Sequence, residues 1–141
     1  MLEVEQYNEN VVFQGIIDCA KAALEHDIPV VLGNDVGCPW ITQYDFWREL
    51  FYIHKYVGVS NAFALYTATA RAAEMAGIGA ETGTIEPGKS ADLIVTVENP
   101  LEDLRALRKV EMVVTQGRKI DHPQVKINPV VAAELDQFLV E

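Results

Sequence analysis

Apolar residues recur at steps of three and four over Phe13, Ile16, Ile17, Ala20, Ala23 and Leu24. That spacing predicts one face of an amphipathic helix. Asn10 is placed to cap its start, and Pro29 lies beyond its end, after His26 and Asp27. Val30, Val31 and Leu32 then form a short apolar run without alternation, the pattern of a parallel strand covered on both faces. Residues 11–35 therefore read as helix, tight loop and buried strand, an αβ unit of an α/β fold. A second helix is predicted over residues 43–56. Tyr44, Trp47, Leu50, Phe51, His54 and Val57 lie to one side, and Gly58 ends it. Ser60 or Asn61 caps a third, alanine-rich helix that runs through Ala76 and is stopped by Gly77 and Gly79.

The period changes after Gly79. Residues 82–85 read as a strand, and Pro87-Gly88 as a turn. Residues 91–97 form a β-branched strand that Asn99-Pro100 breaks, with one or two helical turns over residues 101–107. Residues 110–115 and 118–120 make a hairpin around Gln116-Gly117. Asn128 caps a final helix with Pro129 in its first position, and its stripe is Val131, Leu135, Phe138 and Leu139. The pattern divides the chain into residues 1–79, mostly helical, 80–124, mostly strands, and 125–141, a terminal helix.

Composition narrows the partners. Half of the 141 residues are hydrophobic, which suits one packed domain. Eleven Lys and Arg against 21 Asp and Glu leave a net charge of −10. Such a surface repels phosphate backbones and anionic headgroups, so neither nucleic acid nor membrane is an expected partner. The polar start carries no signal-peptide pattern, and no apolar run approaches the ~18 residues of a membrane span. Cys19 and Cys38 are far apart and form no CxxC, which fits a reducing compartment. The expected location is the cytoplasm.

The candidate chemistry centres on Asp35, in the loop Gly33-Asn34-Asp35-Val36-Gly37-Cys38-Pro39. An acid at the C-terminal end of a buried parallel strand lies where α/β folds place their sites, although the same residue could simply cap a turn. The glycine-rich stretch from Gly83 to Lys89 lacks the spacing of a phosphate loop and reads as a hairpin.

Three stretches resemble the amidohydrolase superfamily, especially its imidazolonepropionase-related and prolidase-like members. The first runs from Ile28 to Gly37. The second is the helix around Ala64-Leu65 and Ala68-Thr69, ending in Ala72-Ala73-Glu74-Met75-Ala76-Gly77. The third runs from Gly83 through Pro87-Gly88-Lys89-Ser90-Ala91-Asp92 to the Gly117-Arg118-Lys119-Ile120 hairpin. The resemblance implies the last βα part of a TIM-type (β/α)₈ barrel, followed by strands of a small β-sandwich. It makes Asp35 the strand-8 aspartate that contacts the metal and takes a proton from metal-bound water. Asn34 stands where the family usually has threonine or serine. Asn34, Cys38 and Trp40 are candidates to line the substrate pocket, and packing is the alternative for Cys38 and Trp40.

The resemblance also implies histidine ligands, including a His-x-His pair, that this sequence does not contain. His26 lies at a helix end, His54 on a helix face and His122 before Pro123, all structural positions. The expectation is therefore a part of a metal-dependent hydrolase of amide, cyclic amide or dipeptide C–N bonds, beginning near the last barrel helix. Its parent would bind a divalent metal, zinc by preference, and a small-molecule amide substrate. One carboxylate is too few to hold the ion, so this chain alone is expected to hold none and to be inactive. The alternatives are a non-catalytic interaction module and one half of a split enzyme. Because strand 8 would have two open edges, a homo-oligomer pairing strands across chains, or a local rearrangement, is expected.

Overall fold

The computed structural model describes residues 2–140. It is a mixed α/β structure: a helical layer followed by a small antiparallel sheet and a terminal helix. The first helical rod consists of α1 (Leu2–Tyr7), a π-helical turn (Asn8–Phe13) and α2 (Gln14–Glu25). Asn10 lies inside this rod and does not cap it. Among the described residues of its apolar face only Ile17 is buried. Ile16 is 63% exposed, so the stripe has more apolar surface than its neighbours cover.

The centre of the core is α3 (Trp47–Tyr52), continued by a π-helical turn (Ile53–Val57). Trp47, Leu50 and Phe51 recur on one face and are buried together with Ile53. Leu50, Phe51 and Ile53 pack against Ala64 of α4 (Asn61–Ala68) and Leu104 of a 3₁₀ turn (Leu104–Arg108), with Val30 and Leu32 at the margin. Gly58 closes the π turn with φ 87°, a left-handed residue in the role read from the sequence. The Ser60 hydroxyl accepts from the N–H of Phe63 at 3.1 Å and caps α4.

The third helix is not continuous. It breaks at Thr69 (φ −122°, ψ −94°) and resumes as α5 (Ala70–Met75). The Thr69 hydroxyl donates to the carbonyl of Leu65 at 2.7 Å, a local bond that competes with the helical ladder. Gly83 presses on the same place. A Cβ built there would lie 2.5 Å from Ala73 Cβ and 3.2 Å from Ala70 Cα, at φ +94°. Gly83→Ala combines a steric clash with left-handed strain, so it should cost about 2 kcal/mol of unfolding free energy. Urea titration checks this; an unchanged midpoint would show that the loop simply moves aside.

Residues 82–85 form bends and loop, not the expected strand, because they fold over α5 and make no strand pairing among the described residues. The sheet has the order β1 (Leu93–Thr96), β2 (Val110–Thr115), β3 (Arg118–Asp121), all antiparallel. Leu93 pairs with Val114, and Thr115 with Arg118 across the hairpin. Gln116 (φ 49°) and Gly117 (φ 77°) supply the two left-handed residues of that tight turn. The Asp92 carboxylate accepts from the N–H of Gln116 at 2.8 Å and from Thr82 Oγ1 at 3.1 Å. These bonds hold it below the usual carboxylate range and tie the loop to the sheet.

The last helix, α6 (Pro129–Asp136), begins as the sequence indicates. The Asn128 side chain accepts from the N–H groups of Val130 and Val131, with Pro129 in the first turn. It is strapped to the helical layer by ion pairs described below and by Lys55 Nζ, which donates to the carbonyls of Phe138 and Val140.

The largest departure from the sequence reading is at residues 30–32. They are half-buried but form no strand, and among the described residues no backbone–backbone hydrogen bond involves residues 29–34. A strand is a pairing between segments, and none of the described residues lies alongside to pair. The last βα unit of a barrel, expected here, is thus not paired as a strand among the described residues, whereas the antiparallel strands are present.

Candidate active site

Asp35 follows the half-buried run after three residues and sits in a tight loop. Its φ is 47°, a left-handed conformation that aspartate adopts more readily than most residues. Trp40, at φ 70°, is a second left-handed residue in the same loop. The Asp35 carbonyl accepts from the N–H of Cys38, whose own carbonyl accepts from Ile41. The loop therefore folds back on itself, and Asp35 is exposed at its rim.

The Cys38 thiol donates to Asp35 Oδ2 at 3.4 Å. The other carboxylate oxygen has no hydrogen-bond partner among the described residues. The bond to Asp35, then its negative charge, push the Cys38 thiol above its ordinary range. Asp35→Asn should therefore lower the Cys38 pKa and speed its alkylation at pH 8 about two- to threefold, with exposed Cys19 as internal reference. Equal rates in both proteins would show that the contact does not form in solution.

Asn34 is drawn the other way. Its Nδ2 donates to the carbonyl of Thr42 at 3.4 Å, and Thr42 Oγ1 donates to Asp45 Oδ2 at 2.7 Å. Asp45 pairs with Arg48 at 3.3 Å, and Arg48 Nη2 donates to Asp136 Oδ1 at 2.7 Å. Arg108 closes the chain on Asp136 Oδ2 at 2.9 Å. A polar relay thus runs from the residue beside Asp35, through α3, to the terminal helix. Arg48 is 3% exposed and also lies 4.7 Å from the Trp47 ring centroid.

Of the pocket candidates, Cys38 touches Asp35 and Asn34 belongs to the relay, while Trp40 is 55% exposed at the loop rim. The histidines are elsewhere: His26 ends α2, His54 Nδ1 lies 2.7 Å from the Val59 carbonyl, and His122 sits past β3 at φ 45°. The sequence reading missed Arg48 and Asp136. The only local signal was an arginine between Trp47 and Leu50 on an apolar helix face; its partner is 88 residues away.

A hydrolytic zinc takes about three protein ligands. Among the described residues no group of three or more His, Cys, Asp or Glu side chains is placed to hold a metal ion. Asp35, with Cys38 beside it, offers one carboxylate arm and does not by itself fit such an ion. No helix among the described residues is long and apolar enough to cross a membrane.

Comparison with known proteins assigns the family. The sequence pattern of the Amidohydrolase family matches residues 6–120. The chain belongs to the amidohydrolase family. Among solved structures, this amidohydrolase chain is similar to a candidate prolidase from Bifidobacterium longum. Identity is 41% and the TM-score 0.83, over 86% of this chain and 30% of that one. It is also similar to a Xaa-Pro dipeptidase with methionine bound in its active site (31% identity, TM-score 0.69, 75% of this chain, 25% of that one). A third is the A. niger ochratoxinase (28% identity, TM-score 0.64, 78% of this chain, 25% of that one). The amidohydrolase chain thus spans less than a third of the length of each. A search of curated proteins finds no match.

Proposed function

We propose that this chain supplies the last part of a metal-dependent amidohydrolase that cleaves amide, cyclic amide or dipeptide C–N bonds. Asp35 is its metal-contacting carboxylate and proton acceptor. The observation that carries the reading is the placement of Asp35. It stands in a loop just after the half-buried run, with one oxygen engaged by Cys38 and the other free, within the stretch that matches the family. When bound, the metal supplies Lewis acidity toward the attacked carbonyl and its water. The part of this chain is narrower. The free oxygen of Asp35 takes the proton that water gives up on attack, and the Cys38 thiol fixes the carboxylate's rotation. Asn34, Cys38 and Trp40 border the substrate, and the other metal ligands come from the part of the enzyme that the relatives have beyond this match. Zinc is the proposed ion and the cytoplasm the proposed location.

The resemblance to a candidate prolidase and a Xaa-Pro dipeptidase supports a dipeptide with proline as the first substrate to try. The test is a chimera in which this chain replaces the matching part of the Bifidobacterium longum protein. Hydrolysis of an Xaa-Pro dipeptide that chelation abolishes and zinc restores is the expected result. A folded chimera inert toward dipeptides, lactams and simple amides would refute the assignment.

A further inference from the structure

Every residue from Asp35 to Trp40 is exposed, so little packing holds the loop that carries the carboxylate. The loop is held at its neck. Asn34 stands at one end and Thr42 at the other, and the 3.4 Å bond from Asn34 Nδ2 to the Thr42 carbonyl closes them. The Thr42 end is tied to the terminal segment twice. Thr42 donates to Asp45, Asp45 pairs with Arg48, and Asp136 holds Arg48 at 2.7 Å. Two residues past Thr42, the Tyr44 hydroxyl oxygen accepts from the N–H of Asn128 at 2.9 Å. Leu139 packs against the core around Leu50 and Phe51 and seats the end of the segment. Both ties land beyond residue 120, outside the stretch that matches the family.

We propose that Tyr44, Arg48 and Asp136 are positioning residues for the site, and that the terminal segment, residues 121–140, braces the Asp35 loop for the reaction. The inference rests on the hydrolase reading above and adds the residues that keep the carboxylate in place. An exposed loop with few internal bonds samples several arrangements. A proton acceptor must stay within hydrogen-bond reach of its proton, and a displacement of about 1 Å is enough to cost rate. Arg48 suits the transmission because it is buried between a carboxylate of the loop and one of the tail. Separation from either would strand a buried charge, so the loop end and α6 keep one relative position.

Hydrogen exchange in the full chain tests the brace without any substrate. Tyr44→Phe removes one hydroxyl, and Asp136→Asn keeps the shape and removes the charge. Each should speed exchange of the Ile41 and Asp45 amides, which donate within the loop, about fivefold or more, and leave α5 unchanged. Gly83→Ala is the control for mere loss of stability and should leave both loop amides as they are. In the chimera, kcat on an Xaa-Pro dipeptide should fall about tenfold in either variant with KM within about twofold. Asp136→Glu, which retains the charge, should recover most of the loss. Loop amides that exchange as in the parent, or that quicken equally in Gly83→Ala, would overturn the proposal. Faster loop exchange with unchanged kcat would overturn it too, since the ties would then be structural only. Faster loop exchange in a chimera that hydrolyses nothing would support the brace and remove the activity assignment alone.

Discussion

Asp35→Asn in the chimera is expected to fold normally and to lose dipeptide hydrolysis by a factor of about 10² or more. The substitution is nearly isosteric. Asparagine tolerates the left-handed φ of 47°, and its amide oxygen can still accept from the Cys38 thiol. Loop geometry and thermal midpoint should therefore stay close to those of the parent. What disappears is the negative charge and the free oxygen that takes up a proton. The loss should fall on kcat more than on KM, because that interaction is made as the proton moves and not when substrate binds. Near-normal turnover in a variant with an unchanged midpoint would reduce Asp35 to a residue that shapes its loop.

The second large effect concerns stability. Asp136→Ala should lower the unfolding free energy by about 2–3 kcal/mol and the thermal midpoint by roughly 8–10 °C. The cost comes mainly from Arg48. It is 3% exposed, and without Asp136 the one carboxylate it retains is that of Asp45, at 3.3 Å. Burial pushes the Asp136 carboxyl up, but Arg48 and Arg108 outweigh it and hold the group below the usual carboxylate range. A carboxylate depressed by folding stabilises above its unfolded pKa, near 3.9, and loses that contribution as pH falls through the folded value. The gap between the two proteins should be constant from neutral pH down to about pH 5 and close below about pH 4. A gap that persists in acid would assign the loss to packing of α6. Because the relay reaches Asn34, the same substitution should also loosen the Asp35 loop.

What the sequence disclosed depended on how far the determining contacts reach. The β2–β3 hairpin is read correctly because Gln116-Gly117 sets the turn locally. The capping of α4 by Ser60 and of α6 by Asn128 is local in the same way. Residues 30–32 carry the composition of a buried strand, yet a strand requires a neighbour, and composition says nothing of whether one is present. The break at Thr69 was hidden because Gly83, 14 residues on, packs against it. Asn10 looked like a cap, but the rod continues through it as a π turn. At the site, Asp35 stands out only by its place after an apolar run and by the family resemblance, and its role remains the proposal made above. Arg48 and Asp136 do not stand out, since an ion pair across 88 residues leaves no periodic trace.

The exposure of the sheet sets an order of events in time. No residue of β1, β2 or β3 is buried, and β3 is exposed along its whole length. The bonds of that ladder are closed mainly by the strands themselves, while those of α3 and α4 lie over Leu50, Phe51 and Ala64. Amide protons of β1, β2 and β3 should thus exchange with deuterium at free energies well below global unfolding, and those of α3 only with it. Trypsin, offered Arg118 and Lys119 at the hairpin, should cut there while the helical layer remains intact.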